Sequence, residues 1–184
     1  MTRALIVIDV QESFRARAED WAAMHNQNIT EPVSRLVEAA RAGGDRVIWV
    51  LHAEPGTDTL FDPACGYVRV MSELAPDPSE PVVVKTSVNA FTTTNLQQQL
   101  VQAGVREVVV CGIRTEQCCE TTARVAADLG FDVTFVTDAT TTSSIPGLSA
   151  AEIMERTECV LAAREFARIA TTEELAGAAA VAVS

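Results

Sequence analysis

The chain of 184 residues is long enough for one domain with a full core, and no linker or low-complexity tract divides it. Hydrophobic residues make up 48% and charged residues 21%, while a formal net charge of -11 argues against nucleic acid or an anionic membrane as partner. Five cysteines, Cys65, Cys111, Cys118, Cys119 and Cys159, are odd in number and lack paired zinc spacing, so a reducing cytoplasm is the expected location.

The first predicted element is a strand, Arg3 to Val10, an apolar run interrupted by a carboxylate at Asp9. Because it begins at once, no leader peptide is expected, and no apolar run approaches membrane-spanning length. Asn28 or Thr30 is expected to cap a helix with Pro32 in its first turn. Its apolar positions are Ile29, Val33, Leu36, Val37 and Ala40, and Gly43-Gly44 ends it. Strand two is Arg46 to His52, and Pro81 to Lys85 repeats the pattern of an apolar strand ending in a charge.

Thr94 with Gln97 reads as a capping box for a helix ending near Gly104. Strand four, Glu107 to Cys111, leads into Gly112-Ile113-Arg114-Thr115-Glu116-Gln117-Cys118-Cys119 and a helix that stops at Gly130. Strand five is Asp132 to Thr137, followed by a loop-like run from Thr140 to Ser144 that is read as an exposed connection able to rim a pocket. Ser149 caps a helix through about Ala163, Ala167 to Ala170 is a short strand, and Thr172 opens a last helix. This alternation predicts an α/β fold: a single three-layer α/β/α domain on a mainly parallel, six-stranded, Rossmann-like sheet.

Chemistry concentrates where the strands end. With Thr115 as cap, Cys119, Thr122, Ala123, Ala126 and Leu129 form the face that packs on the sheet, which makes Cys119 a core residue. Cys118 then lies on a neighbouring face of the first turn, where unpaired N–H groups favour its thiolate. In a parallel sheet Asp9, Lys85 and Cys118 share one edge. A carboxylate there can take the thiol proton, an ammonium can lower the thiol pKa and hold the charges that develop, and the sulfur can attack a carbonyl. Each residue alone has a structural explanation, Asp9 as a turn cap, Lys85 as a strand end and Cys118 as a small buried hydrophobe.

In sequence order, Val7-Ile8-Asp9-Val10-Gln11 with Ser13-Phe14, Val84-Lys85 with Ala90-Phe91 and Thr94-Asn95-Leu96, Gly112-Ile113-Arg114-Thr115 with Cys118, Thr121-Thr122-Ala123-Arg124, and Asp138-Ala139 resemble the isochorismatase-like cysteine hydrolases. The resemblance spans nearly the whole chain. It implies Asp9 as proton acceptor, Lys85 as the stabilising charge and Cys118 as nucleophile. It also implies a cis peptide between Ile113 and Arg114 that turns the Arg114 N–H, with that of Cys118, toward an oxyanion. A homo-oligomer is a further implication, and the small-residue tail from Leu175 to Val183 is a candidate interface.

The activity expected is hydrolysis of a carbon–nitrogen bond in a small-molecule amide or ureide. Isochorismate-type vinyl ether hydrolysis is the enzymatic rival, and a non-enzymatic scaffold with a redox-sensitive thiol, resolved by Cys111 or Cys159, is the other. With His25 and His52 the only histidines, a His-rich metal site of the nicotinamidase kind is not available, so neither metal nor cofactor is expected. His52, beside Glu54, reads as a strand-end residue. Phe14, Trp21, Phe61 and Tyr67 are candidate pocket walls in loops, and Gln11 and Asn89 are candidate contacts to a substrate amide. Arg15, Arg17 and Arg114 are cations near the cleft that could attract a carboxylate.

Overall fold

The computed structural model describes residues 2–182, with side chains described through residue 177. Six strands form one sheet in the order β3-β2-β1-β4-β5-β6, every neighbouring pair parallel. They are β1 Thr2–Ile8, β2 Arg46–His52, β3 Val82–Lys85, β4 Val105–Ile113, β5 Asp132–Thr141 and β6 Arg168–Ala170. Two short helices, α1 Glu12–Arg15 and α2 Ala18–Ala22, follow β1. The longer ones are α3 Thr30–Ala42, α4 Leu96–Gln102, α5 Glu120–Asp128, α6 Ala150–Ala163 and α7 Thr172–Ala182. The predicted three-layer architecture is present.

Alternation along the central strands sends side chains into two separate cores. Ala4, Ile6 and Ile8 of β1 pack with Val108 and Val110 of β4 beneath Leu96, Leu100, Ala123, Ala126 and Leu161. Leu5 and Val7 join Trp49, Val109 and Cys111 beneath Val33, Leu36 and Val37 of α3. Burial on both faces explains why these strands read as unbroken apolar runs. The strand order reverses between β1 and β4, so the crevice at their carboxyl ends is where a ligand site is expected in an open parallel sheet. Among the described residues no helix is long and apolar enough to cross a membrane.

Several local expectations are corrected. Strand β5 runs on to Thr141, and Thr140, Thr141 and Thr142 are buried instead of forming an exposed loop. A register shift between Val110 and Gly112 lets pairing resume as Gly112 with Thr140 and Ile113 with Thr141. The Thr140 hydroxyl donates to the Thr137 carbonyl at 2.8 Å and that of Thr141 accepts from Asn26 N at 2.9 Å, so two of the three polar side chains find partners inside the protein, while the Thr142 hydroxyl has none. No side chain caps α3, where Ile29 precedes the first turn. The box expected from Thr94 and Gln97 is absent, because the Thr94 hydroxyl donates to Ala90 O and accepts from Leu96 N. Leu129, assigned to the core face of α5, is 37% exposed. Ser149 and Glu152 do form a reciprocal capping box on α6. Of the tail from Leu175 to Val183, residue 183 lies outside the described residues.

Candidate active site

Asp9 directly follows β1 with φ 55°, a left-handed conformation that Asp tolerates better than most residues. Its N–H still donates to Val50 O at 2.8 Å, which ties the turn to β2. Lys85 ends β3, and its stem crosses the end of β2 to place Nζ 2.9 Å from Asp9 Oδ2, both side chains fully buried. The same ammonium lies 3.4 Å from Cys118 Sγ, 3.4 Å from His52 Nδ1 and 3.2 Å from the Ser87 carbonyl. Three strand ends therefore meet at one nitrogen.

The approach of β4 to β1 demands a glycine. Gly112 has φ 129°, and a Cβ there would stand 1.9 Å from Ile8 O. Beyond it the Ile113–Arg114 peptide is cis. The chain then enters a single π turn, Thr115–Cys119, in which the Arg114 carbonyl accepts from Cys119 N at 3.2 Å and from Gln117 N at 3.3 Å. Thr115 is not a cap; its hydroxyl meets that of Thr140 at 2.9 Å. The wider turn leaves Cys119 wholly in the core, as expected, and sets Cys118 against Lys85, 9% exposed.

Burial dominates the electrostatics. It raises the Asp9 carboxyl despite the opposing pull of Lys85 and the Cys118 hydrogen bond. Burial pushes Lys85 down, but the charges of Asp9 and Cys118 outweigh it and hold the ammonium above its ordinary range. The Cys118 thiol is pushed up to about 12 by burial and by Asp9, with Lys85 opposing. Burial therefore outweighs the pull toward the thiolate expected from the first-turn N–H groups and Lys85, and the sulfur faces a buried carboxylate whose own value is raised.

An isochorismatase domain profile matches residues 3–174. The chain belongs to the isochorismatase family. It is 33% identical over 152 residues to the secreted isochorismatase effector Isc1 of Verticillium dahliae, covering 82% of this chain and 78% of that protein. A streptothricin hydrolase of Streptomyces noursei is 35% identical over 78% of this chain and 51% of its own length. Nicotinamidase 3 of Arabidopsis thaliana is 32% identical over 76% and 73%. The crystal structure of a cysteine hydrolase from Pseudomonas syringae superposes with a TM-score of 0.86 at 28% identity, covering 98% of this chain and 93% of that one.

Around this family hydrolase's buried trio the other predicted residues divide. Phe14 sits on α1, not in a loop, and packs edge-on against Phe61 with ring centres 5.0 Å apart. Trp21 lies on α2 beneath the Arg15 guanidinium, and Tyr67 is 37% exposed beside Arg69. Neither side chain hydrogen-bonds to the trio. The Gln11 amide is already committed: Oε1 accepts from His52 N at 2.7 Å, and Nε2 donates to His52 O and the Ser13 hydroxyl, each at 2.9 Å. It clamps the end of β2 instead of offering itself to a substrate. Asn89 caps its own turn, accepting from Phe91 N and Thr92 N at 2.9 Å each.

Two neighbours of the site were not foreseen. His52 reaches Lys85 with Nδ1 and lies 3.5 Å from Glu54 Oε1 with Nε2, while its ring meets Phe61 at 5.8 Å. Its pairing opposite Lys85 in the parallel register carries the signal, which the sequence shows only once the two strands are known to be adjacent. Glu120, buried at the start of α5, binds Arg124, Arg156 and the Thr157 hydroxyl and so pins the Cys118 turn to α6. The spacing of Glu120 and Arg124, four apart on a helix, was its visible trace. Among the described residues no group of three or more His, Cys, Asp or Glu is placed to hold a metal ion.

Proposed function

We propose that this protein hydrolyses the carbon–nitrogen bond of a small amide or ureide through a thioester on Cys118. The observation that carries the reading is the Lys85 ammonium within 2.9 Å of Asp9 and 3.4 Å of the Cys118 sulfur in a buried setting. Asp9 takes the thiol proton as sulfur bonds to the carbonyl carbon, and Lys85 balances the negative charge on the sulfur as it forms. The backbone N–H groups of Arg114 and Cys118 hold the tetrahedral oxyanion, where one such donor is worth about 3 kcal/mol. Protonated Asp9 then passes its proton to the nitrogen as the carbon–nitrogen bond breaks and the amine or ammonia leaves. Water, deprotonated by Asp9, attacks the thioester, releasing the acid and restoring the thiol.

Relatives named for hydrolysing nicotinamide and streptothricin support this bond class. Vinyl ether hydrolysis needs an acid and leaves Cys118 without a task. A redox role needs a resolving thiol. Cys111 packs in the core on the opposite face of the sheet from Cys118, and Cys159 is exposed on α6. The decisive test is an ammonia-release screen over small amides with a Cys118→Ala control. Turnover by the native enzyme and none by a folded Cys118→Ala protein is the expected result; equal rates would end the thioester mechanism.

A further inference from the structure

A chain of contacts links the Cys118 sulfur to the Arg114 side chain. Lys85 Nζ is 3.4 Å from Sγ and 3.4 Å from His52 Nδ1. The His52 ring meets Phe61 at 5.8 Å, and Phe61 meets Phe14 at 5.0 Å. The Arg114 guanidinium carbon stands 5.9 Å from the centre of the Phe14 ring, and Arg114 opens the turn that carries Cys118. The contacts thus lead from the sulfur through Lys85, His52 and two aromatic rings to the side chain of Arg114, whose backbone opens the turn that carries the sulfur.

The three arginines near the cleft differ in what they hold. Arg15 grips Glu73 at 2.7 Å and also reaches Glu12, and Arg17 pairs with Asp20 at 2.6 Å. Arg114 is half-buried, rests on the Phe14 face and donates to the Ser143 hydroxyl, and among the described residues no carboxylate lies within 4.0 Å of it. In a protein with a net charge of -11, a partly desolvated guanidinium without an acid beside it stands out. Four of its five N–H donors remain for a ligand, and their fork fits a carboxylate in bidentate fashion.

We propose that the Arg114 side chain is a specificity-determining group that takes a carboxylate on the substrate. The preferred substrates are then small amides that carry a free carboxylate at their far end, the monoamides of short dicarboxylic acids being the simplest. The proposal rests on Cys118 being the nucleophile of an amide hydrolase, and it adds the chemical class of the acyl group. Phe14 and Phe61 cover the apolar carbons between the scissile carbonyl and that carboxylate, while Ser143 holds the guanidinium in place.

Two measurements separate this proposal from the reading beneath it. The first needs no substrate: alkylation of Cys118 by iodoacetate and by iodoacetamide, followed by intact mass and peptide mapping on the folded full-length protein. Both reagents bond the same sulfur and expel iodide, and they differ in charge alone. The expected ratio of iodoacetate to iodoacetamide rates falls about tenfold in Arg114→Gln and recovers in part in Arg114→Lys. Ser143→Ala, which frees the guanidinium but keeps the charge, lowers the ratio by a smaller factor and carries the test should Arg114→Gln fail to fold.

The second is the ratio of kcat/KM for ammonia release between each dicarboxylic acid monoamide and the neutral alkyl amide of equal length. The native enzyme is expected to favour the acid by about 100-fold or more, and Arg114→Gln to collapse that ratio, chiefly through KM. Glu116, in the same turn, has a buried carboxylate oxygen without a hydrogen-bond partner, so amides bearing an amine form the opposing panel. Preference for those amines, or ratios that Arg114→Gln leaves unmoved in both assays, overturns the proposal while leaving the hydrolase reading in place. A charge-selective thiol in a protein that releases ammonia from no amide leaves Arg114 as an anion selector and removes the hydrolase reading instead.

Discussion

Two buried carboxylates flank the Cys118 turn, and they are treated in opposite ways. Glu120 is saturated: Oε1 accepts from two nitrogens of Arg124, and Oε2 accepts from Arg156 and Thr157. Asp9 is left short, with the Lys85 ammonium 2.9 Å from Oδ2 and neither oxygen in a well-formed hydrogen bond. A saturated carboxylate fixes a backbone; an under-satisfied one keeps the capacity to receive a proton. The fold thus sets the saturated carboxylate at a helix start and the under-satisfied one at a strand end.

The sharpest way to break that contrast is Asp9→Asn. Losing the base is expected to lower turnover by about 1,000-fold. Because the charge of Asp9 is one of the causes holding the Cys118 thiol up, its removal leaves the sulfur facing Lys85 alone, and alkylation of Cys118 by iodoacetamide at neutral pH should accelerate. Slower chemistry with a more reactive thiol is a combination that a purely structural Asp9 does not produce. Turnover within threefold of native, or a thiol of unchanged reactivity, would place Asp9 in the same class as Glu120.

Next in size is Gly112→Ala. A Cβ at this position meets Ile8 O at 1.9 Å and requires a φ that alanine avoids, so a loss of about 3 kcal/mol in chemical denaturation is expected. Ile8 precedes Asp9, so the surviving folded fraction should also hydrolyse more slowly per molecule. An alanine variant as stable and active as native would mean that the contact between β1 and β4 does not position Asp9.

Glu120→Gln should show the reverse pattern. Two arginines lose their anion, but both are partly in solvent, which limits the expected destabilisation to about 2 kcal/mol. Measured well below the unfolding midpoint, kcat should remain within about threefold of native, since Glu120 holds the turn and exchanges no proton. A collapse of kcat in a stable Glu120→Gln protein would show that the saturated carboxylate also takes part in the reaction.

How much of this was legible from the sequence depends on whether a feature is periodic or depends on pairing. Apolar runs ending in Asp9 and Lys85 and the Gly112 to Cys118 segment announce a parallel sheet with charges on one edge, because burial on both faces imposes that pattern. The length of β5 is hidden because Thr140 to Thr142 look like a loop until the register shift at Gly112 lets Thr140 and Thr141 resume pairing with β4. His52 is the strand end that its position announces, but its contact with Lys85 comes from lying opposite it on the next strand, and pairing is a long-range fact. The side chain of Arg114 could not be placed either, since its contacts, Phe14 and Ser143, come from elements distant in the chain.

The smallest expected effect is the most direct probe of the under-satisfied carboxylate. Burial raises Asp9 above its ordinary value of 3.8, so the residue holds its proton to a higher pH than a solvated aspartate. Only the ionised form accepts a thiol proton, so kcat/KM should fall as pH drops through that raised value. The acid limb therefore lies above the usual carboxylate range. On the alkaline side, Lys85 is held above 10.5 by Asp9 and Cys118, and the thiol titrates near 12, so neither should produce a basic limb below about pH 10. A descending limb near neutrality, which Lys85 and Cys118 are too high to cause, would overturn the assignment of Asp9 as the one proton acceptor whose titration limits the rate.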